Sequence, residues 1–135
     1  MLRSFPDSVL IDGARATRSD RTFTALDYFD DLERSYLTSP FIRMETVPRA
    51  TYTRRSLEVA FYDNFFGDPR VEWCREWERM ETIADEQARR YGLGALDAFH
   101  VAAAYILGAD EFVTTEKPQK PMYRSQLVRV IYLYG

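Results

Sequence analysis

The sequence predicts an α/β protein in which helices cover both faces of a central, mostly parallel sheet. Three observations carry this. Short apolar runs that read as strands alternate with longer stretches of helical spacing, the pattern of a parallel sheet joined by helical crossovers. The chain has 135 residues, of which 46% are apolar, enough for one core. No internal repeat, low-complexity tract or Gly/Ser linker divides it, so residues 1–135 are expected to form a single domain.

The elements follow in order. "SVLID", an apolar run before Gly13, is predicted as the first strand, ending at Asp12. "TFTALDYFDDLERSYL" has helical spacing, with Phe23, Leu26, Leu32 and either Tyr28 or Phe29 on one side and Asp20 or Thr22 as the cap. "YLTSPF" is a second strand, broken by Pro40. From Ile42 to Phe66 the pattern is helical, with Pro48 expected to kink or split it. After the turn "NFFGDP", "VEW" reads as a short strand. Glu76 to Tyr91 is a helix ended by Gly92, and Ala95 to Leu107 a helix with Gly108 as its C-cap. "EFVTT" is a strand, "PQKPMYRSQ" a loop with one helical turn, and "VRVIYL" the last strand.

Composition narrows the function. The net charge of −3 argues against bulk electrostatic coating of nucleic acid. Yet 16 of the 18 basic residues are arginine, the better phosphate fork, and they cluster at Arg15, Arg18 and Arg21 and at Arg43, Arg49, Arg54 and Arg55. Solvated helix faces are the ordinary reading of any one cluster. The single cysteine, Cys74, cannot form an internal disulfide, which fits a reducing, cytoplasmic setting. The N-terminal apolar run is too short for a signal peptide, and no stretch approaches a membrane span, so no membrane role is expected.

In parallel sheets, ligands bind outside the carboxyl ends of the strands. On this reading Asp12 ends the first strand and Glu116 follows "EFVTT". Asp97 opens its helix, and Glu45 lies early in the helix after the second strand. Four carboxylates on one rim would raise one another's pKa unless a cation neutralised them. Oxygen-only ligation suits Mg²⁺ or Mn²⁺, and such a site supports phosphodiester hydrolysis. Each acid also has an ordinary role. Asp12 fits a turn before Gly13, and Glu45 an exposed helix face. Asp97 fits a helix N-terminus, and Glu116 could pair with Lys117 or Lys120. The only histidine, His100, sits three residues after Asp97. It could be a base or ligand, or a satisfied histidine between core and rim.

"LDAFHVAAAYILGADEFVTTEK" resembles the PIN-domain family of metal-dependent ribonucleases, which includes VapC-type toxins. The shared pattern is an acid opening an alanine-rich helix, then Gly-Ala-Asp, then a strand ending in a threonine two before an acid. "VLIDGA" and "SPFIRMETVPRA" are similar to the family's first strand and to its second strand and helix. The resemblance implies a three-layer α/β/α fold with an acidic pocket of Asp12, Glu45, Asp97 and Glu116. These would be catalytic residues holding Mg²⁺ or Mn²⁺ and cutting RNA. It puts Thr114 at the family's strand-end threonine, near substrate phosphate or a metal-bound water. It further implies a homodimer and a cognate antitoxin. Arg15 and Arg43, with Arg18 and Arg49, are the RNA-binding candidates because they neighbour Asp12 and Glu45 in sequence. Two departures stand: Gly13 and Ala14 occupy positions where the family usually has Ser, Thr or Asn, and the fourth acid is glutamate rather than aspartate. They motivate a second reading, an inactive or weak PIN module that binds RNA or a protein. A third, a nucleotide-binding or phosphotransfer domain, lacks any Gly-rich phosphate loop.

Overall fold

In the computed structural model, which describes residues 1–15 and 20–135, the first strand lies earlier than expected. Leu2–Pro6 forms β1, and the apolar run Val9–Ala14 forms a short helix, α1. A short apolar run does not by its pattern distinguish a strand from a buried helix. Pro6 also argues against a central strand, because it cannot donate to the ladder. Here it is the last residue of β1, paired in register with Val113, and the ladder resumes with Asp7 N–H donating to Val113 C=O at 2.8 Å.

The remaining elements are α2 (Asp20–Phe29), β2 (Arg34–Thr38), α3 (Pro40–Tyr52), α4 (Ser56–Gly67), β3 (Glu72–Trp73), α5 (Trp77–Tyr91), α6 (Ala95–Ile106), β4 (Glu111–Thr114) and β5 (Val130–Tyr132), with a 3-10 turn at Pro121–Arg124. Pro40 begins α3, its missing N–H costing nothing there, and the Ser39 hydroxyl accepts from Phe41 N–H at 3.2 Å. Pro48 does not split the helical stretch. It sits exposed inside α3, and the break comes at residues 53–55, where Arg54 takes a left-handed φ of 57°. Gly92 and Gly108, at φ 73° and 68°, close α5 and α6 as expected.

All five strands are parallel, in the order β3-β2-β1-β4-β5. The chain builds outward from β1 through β2 to β3, then returns across it to β4. The boundary between β1 and β4 is therefore the point where the winding reverses, and a crevice opens there at the strands' carboxyl ends. Successive residues of β4 face opposite layers. Phe112 joins the main core with Phe5, Leu37 and the alanine-rich side of α6, stacking on Phe5 at 5.5 Å. Val113 joins a smaller cluster with Val9 and with Ala25 and Tyr28 of α2. This is the three-layer α/β/α arrangement expected.

The buried side of α2 differs from the expected one. Thr22, Ala25 and Tyr28 face inward, whereas Phe23 is 54% exposed; Leu32, beyond the helix end, is 88% exposed. Tyr28 wins the interior because its hydroxyl is satisfied there by Ser4. Ser4 in turn donates to Glu111 Oε2 at 2.6 Å, and Arg34 Nε donates to the same oxygen at 2.9 Å. This buried chain ties β1, β2, β4 and α2 together at the amino ends of the strands. Among the described residues no helix is long and apolar enough to cross a membrane.

Candidate active site

At the carboxyl ends of β1 and β4 the first acid met is Asp7, only 6% exposed. Thr114, at the end of β4 and fully buried, donates its hydroxyl to Asp7 Oδ2 at 2.9 Å. The same hydroxyl oxygen accepts Glu116 N–H at 3.1 Å. Ser8, next in the chain, bonds the Thr115 hydroxyl at 2.6 Å and accepts Thr115 N–H at 2.9 Å. The two strand ends are thus laced by three hydroxyls, which fix the direction of Asp7.

Glu45, in the second turn of α3, and His100, in the second turn of α6, complete a compact group. His100 Nε2 lies 3.0 Å from Glu45 Oε1. One ligand atom each from Asp7, Glu45 and His100 all fall within 4.8 Å of one another. Asp97, half-buried in the first turn of α6, belongs to the same electrostatic neighbourhood. Burial raises its pKa, Asp7, Glu45 and Glu116 add to the rise, and His100 opposes it. Burial likewise pushes the Asp7 carboxyl up, against His100 and the Thr114 hydrogen bond. His100 is itself held above the usual histidine range: burial resists the charge, but Glu45, Asp7 and Asp97 outweigh it. Acids crowded so that they resist ionisation are a donor set suited to a cation, and the residues present fit a divalent ion.

The expected residues are therefore only partly brought together. Glu45 lies in the group, and Asp97 stands near enough to feel the charges of Asp7, Glu45 and His100. Glu116 stands at its edge, partly exposed, with Lys120 Nζ 3.9 Å away. Asp12 does not join it: carried on α1 rather than at a strand end, it accepts a hydrogen bond from the Tyr134 hydroxyl. Thr114, expected near substrate, is instead buried and holds Asp7. Arg15 and Arg43 are exposed and make no ion pair among the described residues, and Arg18 lies outside the described residues. Sequence reading missed Asp7. The available signal was "FPDS", an acid followed by a hydroxyl residue after a short apolar strand.

His100 Nδ1 is buried with no hydrogen-bond partner among the described residues. A metal-bound imidazole nearly always donates its other N–H to an acceptor. With no acceptor at Nδ1, His100 is better placed to donate from Nε2 to Glu45 and orient that carboxylate than to ligate an ion itself.

The fold, a five-stranded parallel sheet between helical layers, is that of VapC-type, PIN-like structures. No family model matches the sequence, and no curated protein matches it. Solved structures do. A chain of a toxin–antitoxin complex from Klebsiella pneumoniae superposes with a TM-score of 0.71 at 13% identity, over 98% of each chain. VapBC2 from Rickettsia felis, solved bound to a DNA fragment from its promoter, gives 0.70 at 12% identity, over 96% of this chain and 98% of that one. VapC20 from Mycobacterium tuberculosis, a sarcin-ricin loop cleaving toxin, gives 0.65 at 19% identity, over 93% of this chain and 98% of that one.

Proposed function

We propose that this protein is a divalent-metal-dependent endoribonuclease and the toxin of a toxin–antitoxin pair. The observation that carries the reading is the cluster of Asp7, Glu45 and His100 at the reversal point of the sheet, with Asp97 near enough to feel all three. Similarity to toxin chains over nearly the whole length supports the toxin assignment. A cytoplasmic setting, a cognate antitoxin and a homodimer belong to the same reading.

Asp7, Glu45 and Asp97 would hold Mg²⁺ or Mn²⁺, with Glu116 at the edge of the site. Such an ion, when bound, neutralises the acids, polarises a phosphodiester and lowers the pKa of water. The chain's own residues supply the positioning. Thr114 aims Asp7, and His100 aims Glu45. Arg15 and Arg43 attract the RNA strand, with affinity that falls as salt rises. Hydrolysis adds water across one phosphodiester, breaking the bond from phosphorus to the 3′ oxygen.

Taking Asp7 as the first acid also supplies the hydroxyl absent from Gly13 and Ala14, since Ser8 follows it directly. One of the two reasons for reading the protein as a weakened module then falls away, and the glutamate at position 116 is the one that stands. The test is cleavage of a panel of RNAs with and without Mn²⁺. Asp7→Asn and Asp97→Asn should each reduce the rate by a factor of about 100 or more, comparable to losing a positioned catalytic group. Asp12→Asn should leave it within about threefold. Loss in Asp12→Asn with full activity in Asp7→Asn would reverse the assignment.

A further inference from the structure

Beside the acid group, α1, α3 and α4 enclose a cleft of about 210 Å³. Its lining includes Arg15, Arg49, Arg55, Glu45 and Tyr62. Glu45 is shared with the acid group. Arg49 lies four residues further along α3, about one helical turn and on the same side. Of the two carboxylates that line the cleft, Glu58 pairs with Arg55 at 3.2 Å and Glu45 is engaged by His100. Arg15 and Arg49 make no ion pair among the described residues. Two guanidinium forks are thus free to act here.

Tyr62 supplies the second observation. Tyr62, 2% exposed as a residue, lines the cleft, and its hydroxyl keeps contact with solvent and makes no hydrogen bond among the described residues. Burial, reinforced by Glu58 and opposed by Arg15 and Arg55, pushes the phenol pKa up to about 12, so it remains a donor at neutral pH. The cleft therefore offers two guanidinium groups, Arg15 and Arg49, and the Tyr62 hydroxyl, none of them engaged by the two carboxylates that line it. Its ligand must bring several acceptor oxygens and negative charge, and phosphate meets both needs with the fork geometry arginine prefers.

We propose that this cleft is a phosphate subsite, formed by Arg15, Arg49, Arg55 and the Tyr62 hydroxyl, that grips a backbone phosphate of single-stranded RNA beside the one being cut. The inference rests on the ribonuclease reading for the identity of the strand but not for the binding of phosphate. The shared residue Glu45 ties the two sites: a strand lying in the cleft passes directly to the acids.

The experiment uses the whole chain, metal-free in the presence of a chelator, titrated with inorganic phosphate. Arginine Nε–Hε and tyrosine ring signals are followed by NMR. Saturable shifts of Arg15, Arg49 and Tyr62 are expected. Arg49→Ala should weaken binding by about tenfold or more and Tyr62→Phe by about three- to tenfold, as for hydrogen bonds to a charged partner. Arg129→Ala, on an exposed residue outside the cleft, should change nothing. Because Tyr62→Phe deletes only an unpartnered oxygen, the fold is retained. Phosphate affinity indifferent to both cleft variants would overturn the subsite.

A second arm measures binding of a non-hydrolysable single-stranded RNA and of a polyglutamate peptide. The RNA should lose affinity in both variants, and Arg49→Ala should reduce the dependence of log K on log salt by about 0.7. If the variants weaken only the peptide, the cleft serves an acidic protein partner and the RNA subsite is wrong. If RNA binding depends on Arg49 and Tyr62 while no metal-dependent cleavage occurs, the subsite stands and the nuclease reading falls.

Discussion

A single hydroxyl, that of Thr114, joins Asp7 on one strand end to the Glu116 backbone on the other. Thr114→Val keeps the shape and removes both bonds. It should cost about 1–3 kcal/mol of stability in urea titration and lower RNA cleavage, and Thr114→Ser should restore both. His100 is a second case. If it orients Glu45 rather than binding the ion, His100→Gln should leave the ratio of Mn²⁺ to Mg²⁺ affinity unchanged by calorimetry. A nitrogen ligand would favour Mn²⁺, so a collapse of that ratio would make His100 a ligand. Cys74 is 1% exposed, and burial raises its thiol pKa. The folded chain then keeps a proton that the unfolded chain releases. The associated stability is present below the ordinary thiol value of 9.0 and is lost as pH rises through the raised one. Iodoacetamide should modify native Cys74 roughly a hundredfold more slowly than the urea-unfolded thiol at the same pH.

At the scale of elements, the helices with clear stops were legible. Gly92 and Gly108 mark the ends of α5 and α6, and the apolar stretch between Asp97 and Ile106 could only be a buried helix. What failed was local chemistry overridden by tertiary pairing. Pro6 masked β1, and the resulting shift of the first strand by one element put Asp12 where Asp7 stands. Pro48 suggested a helix break that instead falls at Arg54, because an exposed proline can be carried on the outer side of α3. On α2 the choice between Tyr28 and Phe29 went to Tyr28, whose partner Ser4 lies 24 residues away in the sequence, while Phe23 and Leu32, expected on the same side, are exposed. The same polar chain yields a prediction. Glu111 is 4% exposed and accepts from both Ser4 and Arg34. Glu111→Ala strands both donors and should destabilise the protein by about 3–5 kcal/mol in urea unfolding, the cost of breaking a buried pair.

Across the whole molecule, the acids were legible as a set because parallel α/β topology gathers strand ends and helix starts on one rim. Glu45 and Asp97 come into one electrostatic neighbourhood on that logic. Asp7 could not be chosen without knowing which apolar run was the strand, and the cleft of Arg49 and Tyr62 required the packing of α1, α3 and α4. The reversal of winding between β1 and β4 also carries a consequence in time. The threonine that aims Asp7 is made 107 positions after it. A growing chain therefore holds its acids apart until β4 has paired beside β1. On the proposed ribonuclease reading, the centre closes only once β4 is in place, and a copy that stopped short of β4 would leave the RNA around it uncut.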